Sequence, residues 1–204
     1  FKMLICLGIA LVGGVLFAAA DMPLISLFLK GDGDPADAAA ILDYGRAYLK
    51  MMLPGLLPFA ITNAYAGTLK ETGETVVPML GGIAATLVNL VLNYILIFGH
   101  FGAPEMGVEG AALATVISRF AELAIVAGWT HRHTEKNPFI VGAYRSMAIP
   151  AGLLRSITVK GMPLLANELL WSTGMTFLNQ CYSTCGLDVV PALNISSTLF
   201  NLTS

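Results

Sequence analysis

Residues 75–99, TVVPMLGGIAATLVNLVLNYILIFG, run for 25 positions without one charged side chain. A hydrocarbon core of about 30 Å is crossed by about 20 mostly apolar residues at helical rise. Barrel strands alternate over only about ten residues, so a run this long reads as a membrane-spanning helix. Working outward, similar runs recur. Residues 3–20 form a first span that extends toward Leu29, and residues 51–69 a second that begins near Tyr44. After the 75–99 span come 110–130, interrupted by Arg119 and Glu122, then 161–187, whose one charge is Glu168. A sixth begins at 189 and reaches 204. The expected fold class is therefore an all-α integral membrane protein, a polytopic helical bundle of about six spans.

Composition agrees. Charged residues make up 12% of the 204 and hydrophobic ones 56%, with a mean hydropathy of +0.74. A soluble domain carries about 25% charge, so a water-facing surface could not be covered. The net charge is −2 and no basic cluster of nucleic-acid size exists, so no nucleic acid is expected as a partner. Cys6, Cys181 and Cys185 lack zinc-type spacing, which leaves no metal site or disulfide framework expected. Ala18-Ala19-Ala20 before Asp21 imitates a signal-peptide cleavage site, but apolar character resumes at Pro23. The chain opens at Phe1 without Met and closes in an apolar run, which suggests that both ends are cuts.

The connections suggest an orientation. Lys2, Lys70 and the five basic residues Arg132, Lys136, Arg145, Arg155 and Lys160 fall on one side, against Lys30, Arg46 and Lys50 on the other. The positive-inside rule puts the first group in the cytoplasm, including the long linker 131–160. That linker divides the chain into residues 1–130 and 161–204.

Several motifs carry a resemblance. These are Asn89-Leu90-Val91-Leu92-Asn93-Tyr94 through Gly99, then Met106-Gly107-Val108-Glu109-Gly110 through Thr115. Upstream stands Leu69-Lys70-Glu71-Thr72-Gly73-Glu74-Thr75 with Pro78; downstream stand Gly161-Met162-Pro163, Asn167-Glu168 and Trp171. In this order the chain resembles the MATE (multidrug and toxic compound extrusion) transporters over nearly its whole length. The resemblance implies a twelve-helix protein in two lobes, with these spans as helices three to eight. Residues 1–130 would close the first lobe, 131–160 would join the lobes, and 161–204 would open the second, with the other helices of the same chain as partners. It implies export of small organic or cationic compounds across the plasma (inner) membrane, with a proton or sodium ion as coupling species and no cofactor.

Individual residues then gain expected roles. Glu168 is a lone carboxylate in an apolar span, costing roughly 2.5–3.5 kcal/mol to insert unless paired, protonated or hydrated. Burial would favour its protonated form. By resemblance it would take part in cation coupling; otherwise it would hydrogen-bond a neighbouring helix. Asn167 stands beside it on another face. Asn89 and Asn93, four apart, share one helix face and could line a polar cavity or offer oxygens to a small cation. By resemblance they match N-x-x-x-[DN], where many members carry Asp at the second place; Asn93 is neutral. Plain interhelical bonding is the alternative, at about 0.6–2 kcal/mol per contact. Thr115 and Tyr48 match further positions of that network, or else bond to their own helix and sit at an interface. Arg119 and Glu122, three apart, are expected as a structural ion pair. His131 and His133 read as solvated loop residues, and Pro54, Pro58 and Pro78 as helix bends. No nucleophile–base set, Walker loop or dinucleotide fingerprint points to an enzyme. The competing readings are a lipid-linked oligosaccharide flippase of the same superfamily and a structural membrane subunit without transport.

Overall fold

The computed structural model describes residues 2–26, 35–140, 151–183, 189 and 195–198. Among these, the secondary structure is entirely helical, with no strand. The helices are α1 (Lys2–Ala19), α2 (Asp21–Ser26), α3 (Pro35–Met52), α4 (Leu56–Glu71), α5 (Val76–Phe98), α6 (Gly107–Arg132) and α7 (Ala151–Ser183). Helices satisfy every backbone donor internally, which is what an apolar solvent demands.

The chain divides into two compact units, Phe1–Ala20 with Arg46–Ala148, and Asp21–Gly45 with Ile149–Ser204. In the first, α5 and α6 form an extensive antiparallel hairpin, α4 packs on α6, and α1 packs on α4. The hairpin closes tightly because Gly110 has no side chain. A Cβ there would sit 2.7 Å from the carbonyl oxygen of Leu96. One end of the unit holds its apolar centre: Tyr65, Leu69, Val77, Val126 and Ile140, edged by Met3, Trp129 and Phe139. At that same end Lys2 Nζ reaches Glu71 Oε1 at 2.7 Å, so the start of α1 and the end of α4 share a side.

The turn after α4 is built by Gly73 at φ +91°. Its N–H donates to Lys70 O, and Glu74 N–H reaches back to Leu69 O. This closes the helix with a left-handed residue that a Cβ would disfavour.

Three of the expected spans stand as single helices long and apolar enough to cross a membrane: α1, α5 and α6. The second expected span is not one helix. Pro54 sits in a 3-10 turn, Leu53–Gly55, that divides the 51–69 run and leaves α4 with 16 residues. A proline ring removes a donor and crowds the preceding turn, which is what interrupts the ladder. Pro58 is instead buried within α4, and Pro78 within the first turn of α5. The fifth expected span differs too. α7 starts ten residues before Gly161 and runs for 33 residues through Pro163, but Asn167, Glu168 and several hydroxyls dilute its apolar run. Residues 131–160 are correspondingly less of a loop than expected. α6 continues to Arg132, a 3-10 turn spans Pro138–Ile140, and Ile140 is buried. Residues 141–150, Cys185 and most of the sixth expected span lie outside the described residues.

The second unit contains α2, the first part of α3 and α7. Within it Ile25 packs over Gly45 of α3. α7 leaves Leu164, Leu170, Trp171 and Phe177 each at least 66% exposed. Apolar residues this bare ask for lipid or further helices.

Candidate functional site

The amides predicted to share a face do so. Asn93 Nδ2 donates to Asn89 Oδ1 at 3.0 Å, and Asn89 Nδ2 donates across to Thr115 Oγ1 on α6 at 3.2 Å. Thr115 in turn donates to Ala111 O, one turn back on its own helix, at 2.9 Å. The Thr115 hydroxyl thus bonds to its own helix while it receives the Asn89 amide. Ser118 extends the polar strip, donating to Thr115 O at 2.7 Å. At the far end Asn93 Oδ1 is shielded from solvent with no donor. A carboxamide oxygen left this way is a costly acceptor, available to a proton donor or a cation.

Arg119 and Glu122 pair as expected, Nη1 to Oε2 at 3.0 Å. The carboxylate is the more deeply set partner, its side chain 16% exposed against 40% for the arginine. Arg119 also lies over the ring of Phe59 on α4, its guanidinium carbon 5.0 Å from the ring centre. Asn89, Thr115, Ser118, Arg119 and Glu122 together line one side of a cavity of about 630 Å³ between α5 and α6. A second, more apolar cavity of about 290 Å³ lies on the other side of Thr115 and Arg119. Tyr48, half-buried at the end of α3, lines that one with Phe17 and Phe59. Of the sequence-predicted residues of α3, α5 and α6, Tyr48, Asn89, Thr115, Arg119 and Glu122 thus line two adjoining cavities within one unit, and Asn93 lines neither.

Glu168 and Asn167 belong to the other unit, exposed along α7. The burial expected for Glu168 is not met among the described residues, where its side chain is exposed. His131 and His133 also depart from expectation. They end α6 instead of floating in a loop. The Tyr65 hydroxyl and His131 Nε2 lie 3.0 Å apart, and the His133 ring stacks on Trp129 at 4.6 Å between centroids. The apolar centre below, with Ile140 folded back, holds that end of α6 in register. Among the described residues no group of three or more His, Cys, Asp or Glu gathers as a metal site.

Sequence reading missed Phe59, Ser118 and two buried polar groups, Thr62 Oγ1 and Asn137 Oδ1, which lack partners. Ser118 could have been found, since it lies three residues after Thr115 on the same face. Phe59 could not: an aromatic in an apolar run carries no sign of the arginine 60 positions later.

Comparison with known proteins adds the following. The MatE family model matches residues 1–95, which covers α1 through nearly all of α5. The chain is 36% identical over 159 residues to the probable multidrug resistance protein NorM of Thermotoga maritima, covering 74% of this chain and 31% of that protein. It is 31% identical over 173 residues to the multidrug resistance protein MdtK of Klebsiella pneumoniae, covering 83% and 37% respectively. To the probable multidrug resistance protein NorM of Haemophilus ducreyi it is 29% identical over 195 residues, covering 88% and 40%. The chain therefore spans between about three and four tenths of the length of these curated relatives. No solved structure matches it.

Proposed function

Because this chain belongs to the MATE family, we propose that it forms part of a secondary active transporter. That transporter exports small organic, often cationic or amphipathic compounds in exchange for entering protons or sodium ions. The observation that carries this reading is the polar strip Asn93–Asn89–Thr115–Ser118, whose Asn89, Thr115 and Ser118 line a 630 Å³ cavity between two helices apolar enough to span a bilayer. Pockets of roughly 300–1,000 Å³ suit drug-sized ligands. The relatives' own names speak of multidrug resistance, in keeping with such a cargo.

In this reading residues 1–130 close one lobe, 131–160 form the cytoplasmic connection, and 161–204 open the second lobe in the inner membrane. The lobes rock against each other around a central cavity. Each residue then has its task. Asn89 fixes Thr115 and presents its amide to the cavity, and Asn93 Oδ1 offers an acceptor without a formal charge. Tyr48 lines the apolar annex. Glu168 supplies the carboxylate whose protonation or cation binding biases the outward-facing state, and Asn167 supports it. The full network is completed by helices of the complete protein. Neither the reading nor these roles requires a cofactor.

The test uses the complete protein in liposomes carrying a proton or a sodium gradient. Imposing one of these gradients should drive ethidium movement. Glu168→Gln should reduce ethidium-stimulated cation flux to the level of protein-free liposomes without lowering expression. Undiminished flux in that variant would remove Glu168 from coupling, and absence of flux in the native protein under both gradients would refute transport itself.

A further inference from the structure

We infer that Arg119 is a built-in competitor for organic cations, holding their site on Glu122 and Phe59 until a cargo cation displaces it. The inference takes its ligand class from the export reading, and its geometry from the first unit alone.

Among the described residues lining the two adjoining cavities, Arg119 and Glu122 are the only arginine, lysine, aspartate or glutamate. A flat organic cation entering there would seek two things: a carboxylate and an aromatic face. The cavity wall has one of each. Glu122 supplies the charge, with its side chain 16% exposed, and Phe59 supplies the ring. Arg119 already occupies both, through a 3.0 Å contact to Glu122 Oε2 and a guanidinium carbon 5.0 Å from the Phe59 centroid. Guanidinium is itself a planar, delocalised, weakly hydrated cation. It imitates the ligand class.

The exchange is favourable for a physical reason. Stripping a partner from a low-dielectric carboxylate is costly, because the anion is left uncompensated. Replacing one cation by another keeps Glu122 paired at the beginning and end of the exchange. Arg119 is free to leave because its side chain is 40% exposed and long enough to swing toward open space. Its position at the boundary, where it lines both cavities, lets it withdraw from one toward the other. A neutral aromatic compound gains nothing by this exchange, since it cannot replace the charge. The device therefore selects cations while lowering their affinity, which favours release over retention.

Equilibrium binding to the complete protein in detergent tests this, with ethidium as the cationic probe and N-phenyl-1-naphthylamine as the neutral one. Arg119→Met should tighten ethidium binding about tenfold, the scale of one displaced ion pair and ring contact together. It should leave the neutral probe unchanged. Arg119→Lys keeps the charge but loses the flat face, and should tighten ethidium by a smaller factor. This milder substitution decides the matter if the methionine variant does not fold. Glu122→Gln should weaken ethidium at least about tenfold with the neutral probe unaffected. Ethidium binding unchanged or weakened in the folded Arg119 variants, or both probes tightening alike, would overturn the inference. Binding that changes as stated without ethidium export in liposomes would refute the transport reading and leave Arg119's role standing. Export with binding indifferent to Arg119 would do the reverse.

Discussion

At Gly110 a single methyl group would be felt more than at most places in the chain. A Cβ there would lie 2.7 Å from Leu96 O and 2.9 Å from its carbonyl carbon, both backbone atoms that cannot swing aside. Gly110→Ala should therefore cost about 1–3 kcal/mol, the usual range for overpacking. The loss would appear as a lower midpoint temperature when the complete protein is heated and its monodisperse fraction followed. Gly82→Ala, where nothing lies within 4 Å of the added atom, should be neutral or slightly stabilising in the same assay. Asn89→Ala should cost less than Gly110→Ala, about 0.6–2 kcal/mol, since one interhelical amide contact is lost. At this scale, local geometry was what the sequence could announce. Asn89 with Asn93, and Arg119 with Glu122, were readable because helical spacing alone brings them together. Asn89 to Thr115, Phe59 to Arg119 and Tyr65 to His131 each join different helices. Their meeting depends on the crossing of those helices and on side-chain direction, which no spacing rule contains.

Whole helices were legible where an unbroken charge-free run settles the matter, as in α1 and α5. α6 was legible despite Arg119 and Glu122, because those charges sit three apart and neutralise one another. In the second span the bend expected at Pro54 takes the form of a 3-10 turn, Leu53–Gly55, with Met52, Gly55 and Leu56 still in right-handed helical conformation on the way into α4. α7 begins at Ala151, ahead of the apolar run from Gly161, because Arg155 and Lys160 are good helix formers that extend it. The ion pair between Lys2 and Glu71 makes a prediction about elements. With native cysteines replaced by serine, Lys2→Cys with Glu71→Cys should be joined by a short bis-maleimide. Lys2→Cys with Glu105→Cys should not, since Glu105 lies in the connection at the opposite end of α5 from the turn at Glu71. Joining of both pairs alike would contradict the packing of α1 on α4.

For the molecule as a whole, the telling feature is the apolar surface left bare. Leu90 is 65% exposed, Ile9 67% and Leu170 76%, on helices that bury few of their own side chains. A water-soluble protein rarely shows contiguous apolar area on that scale. In a bilayer the same surface faces lipid or neighbouring helices, and every polar group among it needs a partner. The network around Asn89 and Arg119 largely answers that need; among the described residues Asn93 Oδ1, Thr62 Oγ1 and Asn137 Oδ1 are buried without a partner. At Glu168 the described residues leave the side chain exposed along α7, so the sequence's expectation of burial has no counterpart there.

Sided labelling tests the membrane placement most directly. Glu105 and Lys136 are both exposed, in the connections at opposite ends of α6. In a cysteine-free form of the complete protein expressed in bacterial cells, Glu105→Cys should react with a membrane-impermeant maleimide added outside intact cells. Lys136→Cys should react only after the inner face is opened. Labelling of both from one side, or of Lys136→Cys from outside, would contradict a spanning α6 with its basic end in the cytoplasm.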